Sequence, residues 1–184
     1  MRLRGLFVFA GVAHALTAFC SLAILPTMSS NTNSLSHAPA CVPDNPGWNF
    51  CYTTEVRFRD IDMFGHVNNA AYLTYVESAR VAYYGHLSGI SDPRDFDMTV
   101  ARAELDYLIP VFYGQTLHVY TRASRIGTKS WTLEHQMRDS VSNDVVANAS
   151  TVVVYFDHQT GKSKPLTDEI VSMIEAHEGR KLRS

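Results

Sequence analysis

Between Val56 and Tyr84 the chain reads VRFRDIDMFGHVNNAAYLTYVESARVAYY, an acidic turn that runs straight into a helical pattern. Asp60 and Asp62 stand at its front, Gly65 permits a tight backbone, and His66 can carry or relay a proton. Either Asn68 or Asn69 suits the N-cap of the helix that follows. A helix N-terminus presents N–H groups with no intrahelical acceptor, so a carboxylate and a site able to polarise a carbonyl arrive together. That pairing serves acyl transfer, with Asp60, Asp62 and His66 competing for the role of base or nucleophile.

The elements that must hold this turn follow from periodicity. Cys51 to Arg59 alternates, with Tyr52, Thr54, Val56 and Phe58 on one side, and predicts a half-buried strand. From Asn69 to Leu87, Tyr72, Tyr75, Val76, Ala79, Tyr83 and Leu87 recur at helical steps with no Gly or Pro before Gly85, which predicts a helix of about five turns. Gly89 to Asp97 is a loop. Strands are predicted over Met98–Leu108, Thr116–Ile126, Ser130–Arg138 and Val145–Asp157, and the apolar run Val152–Phe156 reads as a central strand buried on both faces. A turn around Gly161 leads to a short terminal helix, Leu166–Ala176, capped by Thr167. Strand, helix, then four strands in meander make an α+β domain in which one long helix faces an antiparallel sheet.

At 184 residues, 46% hydrophobic and 18% charged, the chain has the composition of one globular domain. A net charge of −2 and no Lys/Arg cluster exclude nucleic acid held by bulk charge. Cys20, Cys41 and Cys51 form no CxxC and have no His at zinc-finger spacing, so no metal cage is expected. The thiols are expected to be free, a Cys41–Cys51 bridge being open only to an oxidising compartment.

Residues 1–27 differ from the rest. Arg2 and Arg4 precede an apolar run, Gly5 to Leu25, which Pro26 stops. It has the layout and length of a targeting segment or membrane anchor, so membrane association through residues 5–25 and a secretory-pathway or membrane-anchored location follow if Met1 is used. The lack of Asp and Glu before Asp44 also suits mitochondrial import, although Arg is scarce after Arg4; a start at Met28 would leave a cytoplasmic chain. Residues 28–50, rich in Ser, Asn and Pro, are expected to be a disordered linker, and residues 51–184 the folded domain.

The pattern D-x-D-x-x-G-H-V-N-N-x-x-Y-L-x-Y-x-E-x-A-R, Asp60 to Arg80, resembles the signature of hotdog-fold acyl-CoA thioesterases of the 4-hydroxybenzoyl-CoA thioesterase type, most closely the long-chain acyl-CoA branch. The likeness continues through Arg102–Pro110, Tyr113-Gly114, Arg125–Gly127 and Asp157–Pro165. It implies an antiparallel sheet wrapped around one long central helix and hydrolysis of fatty acyl-CoA without metal or organic cofactor. By position, Asp62 would be nucleophile or general base and the Asn69 backbone N–H would polarise the thioester oxygen. His66 stands where other branches carry an apolar residue. Glu77 matches the helix on which another branch places its catalytic carboxylate, its alternative being a structural partner of Arg80. Gly65, Val67, Asn68, Tyr72 and Tyr75 would bound the substrate, and Asp60 would be scaffold. The resemblance also implies a homodimer or homotetramer with substrate between subunits. Arg125, Lys129 and Lys162 are candidates for the CoA phosphates. Two other readings use the same residues: a hydratase of hydroxyacyl thioesters, whose His/Asp loop is absent here, and a membrane-associated acyl-thioester-binding protein without turnover.

Overall fold

A 20-residue helix lies along one face of an antiparallel sheet in a computed structural model that describes Cys41 and residues 44–183. In chain order the elements are β1 (Cys51–Glu55), α1 (Asn69–Ser88), β2 (Met98–Tyr107), β3 (Thr116–Ile126), β4 (Ser130–Asp139), β5 (Val145–Asp157), β6 (Lys162–Ser163) and α2 (Asp168–Glu178). Single turns of 3-10 helix occupy Phe58–Asp60 and Pro93–Asp95. This is the expected α+β hotdog arrangement. The apolar segment 1–27 lies outside the described residues; among those described, no helix is long and apolar enough to cross a membrane.

The strand order, β1-β3-β4-β5-β2 with β6 on β5, corrects the expected four-strand meander. Of the four strands expected to form it, only β3, β4 and β5 are consecutive neighbours. β2 pairs with β5, Leu105 opposite Ala149, and forms an edge. The cause is the connection after β2. Leu108 and Ile109 N–H groups both donate to Val146 O, which holds the chain against β5. The chain then crosses the sheet end, through buried Val111, and reaches the β1 side where Val56 N–H donates to Gln115 O at 2.9 Å.

A second correction concerns Val152–Phe156. Only Val153 is fully buried, and its neighbours are half-exposed. The helices cover one face of the sheet, so even an interior strand alternates. The buried residues of α1 are Tyr72, Tyr75, Val76, Ala79, Arg80, Tyr83 and Tyr84, which is the predicted stripe without the partly buried Leu87 and with Tyr84 and one charged member added. α2 is fixed by Glu178, whose carboxylate accepts from Tyr83 Oη at 2.6 Å and from Ala123 N–H at 2.8 Å.

Residues 44–50, assigned by composition to the linker, pack on the sheet. Trp48 lies edge-on to Tyr120, with the Arg122 guanidinium 4.3 Å from its ring, and Asn45 donates to Gln136. Contrary to expectation, Cys41 and Cys51 are not free thiols. Cys41 and Cys51 form a disulfide across Cα atoms 5.3 Å apart. Composition misses this strap because its anchors are single side chains, one aromatic, one amide and one cysteine, with no periodicity.

The core falls into two parts. Tyr83, Tyr84, Trp131, Leu133 and Ile174 belong to one, and Val67, Tyr72, Tyr75, Val119 and Met137 to the other. Between Leu133 and Met137 on the inner face of β4 sits His135, 1% exposed, its Nδ1 3.0 Å from Thr121 Oγ1 and its Nε2 3.0 Å from Thr151 Oγ1. Burial, followed by the charge of Arg80, pushes the imidazole down to about 3.

The unfolded chain therefore binds one more proton at this position than the native chain between pH 6.5 and about 3. Stability should be intact above pH 6.5 and fall below it by about 1.4 kcal/mol per pH unit from this group alone. Urea midpoints measured from pH 7 downward should show that slope, and His135→Gln should flatten it by that amount. An equal slope in both proteins would reject the assignment.

Candidate active site

β1 ends at Glu55, not Arg59, and Phe58 is 80% exposed rather than inward. Asp60 causes the break. Its carboxylate accepts from Arg57 N–H at 3.0 Å and Arg57 Nε at 3.2 Å, while Asp60 N–H donates to Arg57 O. The buried Oδ2 also accepts from Tyr75 Oη at 2.9 Å. Burial alone would raise this carboxyl, but the donors from Arg57 and Tyr75 outweigh it and hold Asp60 below the usual carboxylate value. Burial and the Asp60 contact push the Tyr75 phenol up in turn.

A tight hairpin follows, closed by Ile61 opposite Val67. Asp62 N–H donates to His66 O at 2.9 Å and Gly65 N–H to Asp62 O at 3.1 Å. Gly65 has φ +83°, a left-handed conformation in which a side chain would be strained. Asp62 Oδ1 accepts from Phe64 N–H at 2.8 Å, and Oδ2 lies 3.5 Å from His66 Nδ1. The Asp62 side chain is 18% exposed, so it is held on one side and open to solvent on the other.

Asn68 is the helix cap. Its side chain accepts from Ala70 N–H at 2.9 Å, and its own N–H donates to Asp60 O at 2.8 Å. Among the described residues the Asn69 N–H has no acceptor, as expected for the first turn of a helix. Val67 is buried, its N–H donating to Val111 O at 2.7 Å. Asp62, Gly65, His66, Val67, Asn68 and Asn69 are thus gathered on one turn at the start of α1.

The other candidates lie elsewhere. Tyr72 and Tyr75 are core residues, 3% and 1% exposed, their rings 6.2 Å apart. Glu77 is about 12 Å further along the helix axis than Asn69. Its side chain is 66% exposed, and Oε1 lies 3.6 Å from Nη2 of Arg80, its expected structural partner. Arg125 and Lys129 sit at the end of β3 and the start of β4 opposite the acidic turn, about 30 Å away along the strand. Tyr107 was not singled out from sequence. Its hydroxyl donates to Asn69 O at 3.0 Å and its ring meets Tyr72 edge-on at 5.2 Å, so the last residue of β2 braces the first of α1. Its place at the end of a strand before Leu-Ile-Pro was the available signal.

Among the described residues one cluster has metal-ligating composition: Cys41, Cys51 and His118, within 4.8 Å of one another. The two sulfurs are bonded to each other, which leaves His118 alone.

Residues 56–174 match the thioesterase-like superfamily. The chain is 35% identical to a thioesterase from Thermus thermophilus solved with coenzyme A and Zn, with TM-score 0.68 over 75% of this chain and 100% of that one. It is 27% identical to 1,4-dihydroxy-2-naphthoyl-CoA hydrolase of Nostoc punctiforme, over 70% of this chain and 88% of the relative. It is 26% identical to long-chain acyl-CoA thioesterase FadM of Escherichia coli, over 66% of this chain and 93% of the relative.

The capping geometry distinguishes two adjacent asparagines. Asn68→Ala should cost about 1 kcal/mol in denaturant unfolding, the usual loss for an N-cap side chain, whereas Asn69→Ala should be near neutral. The reverse order would move the cap to Asn69.

Proposed function

This chain belongs to the thioesterase-like superfamily, and from that membership we propose that it hydrolyses fatty acyl-CoA to free acid and CoA at the turn formed by Asp62 to Asn69. The observation that carries this reading is a half-buried carboxylate, fixed through one oxygen by Phe64 N–H, beside a helix start whose Asn69 N–H has no acceptor among the described residues. A thioester is already a reactive acyl donor, and its tetrahedral oxyanion needs an oriented donor more than a strong nucleophile. Asp62 either attacks the carbonyl carbon or takes a proton from the attacking water. The carbonyl oxygen, becoming negative, accepts from Asn69 N–H at the positive end of α1. The C–S bond breaks and CoA leaves as thiolate; in the water route the thiolate takes up the proton held by Asp62, and in the nucleophile route water then cleaves the Asp62–acyl anhydride, releasing the acid and restoring the carboxylate. His66, 3.5 Å from the second Asp62 oxygen, holds the carboxylate in place rather than touching the acyl group. Glu77, exposed and paired with Arg80, has no part in this scheme within one chain.

The edge strand β2 supports a homodimer as the working form, with a tetramer as a further stage. Val100 and Tyr107 on it, with Leu108 and Ile109 just beyond, are all exposed, and its outer N–H and C=O groups have no partner strand among the described residues. Two copies paired antiparallel along β2 would set the far end of one sheet beside the acidic turn of the other. Lys129 and Lys162 of the second copy would then come toward a CoA whose thioester sits at Asp62.

Asp62→Asn should lower kcat about 10²-fold or more on its best acyl-CoA, with the thermal transition within a few degrees of wild type. The panel should run from short to long fatty acyl-CoA and include an aromatic acyl-CoA, since the named relatives divide between those classes. Activity within a few-fold of wild type in the variant would remove Asp62 from the chemistry. Tight acyl-CoA binding with no turnover by the wild type would favour a carrier instead.

A further inference from the structure

The acidic turn and the β2–β3 connection expose more large apolar side chains than the rest of the described surface. Phe58 is 80% exposed, Met63 91%, Phe64 77%, Phe112 53% and Tyr113 65%. Backbone bonds hold the two loops side by side: Val67 N–H to Val111 O, Gly114 N–H to Val56 O and Val56 N–H to Gln115 O. The Phe58 and Tyr113 rings meet edge-on at 6.0 Å. The five side chains therefore project from one end of the domain.

We propose that this end docks on a lipid surface with anionic headgroups, Phe58, Met63, Phe64 and Phe112 entering the interfacial region. The tips are built for an apolar phase. Gly65 N–H donates to Asp62 O, Phe64 N–H to Asp62 Oδ1, Phe112 N–H to Gln115 Oε1 and Gln115 N–H to Phe112 O, so these four backbone donors at the tips are satisfied within the loops. Shallow burial of the tips leaves these polar groups paired. Arg57 and Arg59 flank the tips with side chains 48% and 72% exposed, at the level where a guanidinium meets a phosphate. Their nearest counter-charge, Asp60, is buried beneath them.

The chain beyond the described domain points to the same partner. The run Gly5–Leu25 is apolar and long enough to span a bilayer, and residues 26–40 reach at most about 50 Å when extended. A domain tethered at that distance meets the membrane repeatedly, and an exposed apolar tip sets which end faces it. A second copy is the competing occupant, but its pairing surface is the β2 edge, whose exposed side chains include Arg102, Glu104 and Asp106 and are more polar than the tips. The docking does not depend on the reaction assigned to Asp62.

The test uses the full chain with Phe58→Trp, mixed with vesicles of phosphatidylcholine and phosphatidylglycerol carrying bromine on the acyl chains. An indole lying about 5–10 Å below the headgroups is quenched by shallow bromines, so emission should fall well below that in unbrominated vesicles. The wild-type chain supplies the baseline, because Trp131 is 2% exposed and Trp48 is packed on Tyr120 and Arg122. Phe112→Trp repeats the measurement should the first variant fail to fold. The added indole should also lose quenching when phosphatidylglycerol is omitted. An unquenched indole on a vesicle-bound chain would overturn the proposal. So would a blue shift without vesicles that grows with protein concentration, which would assign the tips to an interface between copies.

Discussion

The buried carboxylate of Asp60 sets the geometry on which the candidate site depends. It accepts from the Arg57 backbone and side chain behind it and from Tyr75, fifteen positions further on in α1. Its own carbonyl oxygen takes the N–H of Asn68, the helix cap. The end of the first strand, the entry of the helix and the helix face are thereby tied to one residue, the first and last through its side chain and the entry through its backbone. Replacing it would leave a buried phenol and a backbone N–H without acceptors, each costing about 1–3 kcal/mol. Asp60 also holds the local cations, with Arg57 at 3.2 Å and Arg59 at 3.9 Å. Asp62 is left with neutral and weakly basic company: one backbone N–H and one imidazole. Two aspartates two residues apart thus differ because one faces inward and the other outward.

Further along the helix a second polar element is placed inside the core. His135 is satisfied on both nitrogens by threonines from the flanking strands, and Arg80 approaches from α1 with its Nε buried and unpaired among the described residues. A protonated His135 would stand beside a buried guanidinium with no anion between them, so the imidazole stays neutral. The row Leu133, His135, Met137 places this seam between the two apolar parts of the core. A sliding register would bring threonine and imidazole against leucine, so the seam helps fix where α1 sits along the sheet.

Local pattern carried much of this architecture. Thr116–Ile126 and Val145–Asp157 have the expected bounds, α1 differs by one residue and Thr167 is the cap of α2. What could not be read was decided at a distance. β2 joins β5 rather than β3 because of hydrogen bonds to Val146 made after the strand has ended. Phe58 belongs to the strand by alternation, yet it turns outward because Asp60 closes a 3-10 turn two residues later. The strap from Asp44 to Phe50 and the Cys41–Cys51 bond depend on partners in β1, β3 and β4 that polar composition does not announce. At the site, the motif gathered Asp62, His66 and Asn69 correctly into one turn, because their spacing is local. Tyr72 and Tyr75 fitted a substrate wall equally well by spacing, and only packing shows them enclosed.

Tyr107 shows how the site and the sheet edge are joined. Its hydroxyl holds the carbonyl of Asn69, the residue whose N–H faces the candidate oxyanion, and its backbone closes the β2–β5 ladder opposite Ala147. Its side chain is still half uncovered, at 46% exposure. An edge strand left open is a liability unless something pairs with it or charges guard it, and β2 carries both charged residues and, near its end, bulky apolar ones. Any strand that adds to β2 would bury Tyr107 further and stiffen its contact with Asn69. Because an oriented donor stabilises a developing charge best when it need not reorganise, closure of this edge and rigidity of the helix start are one constraint. Within a single chain, the Tyr107 phenol thus links the open sheet edge to the start of α1.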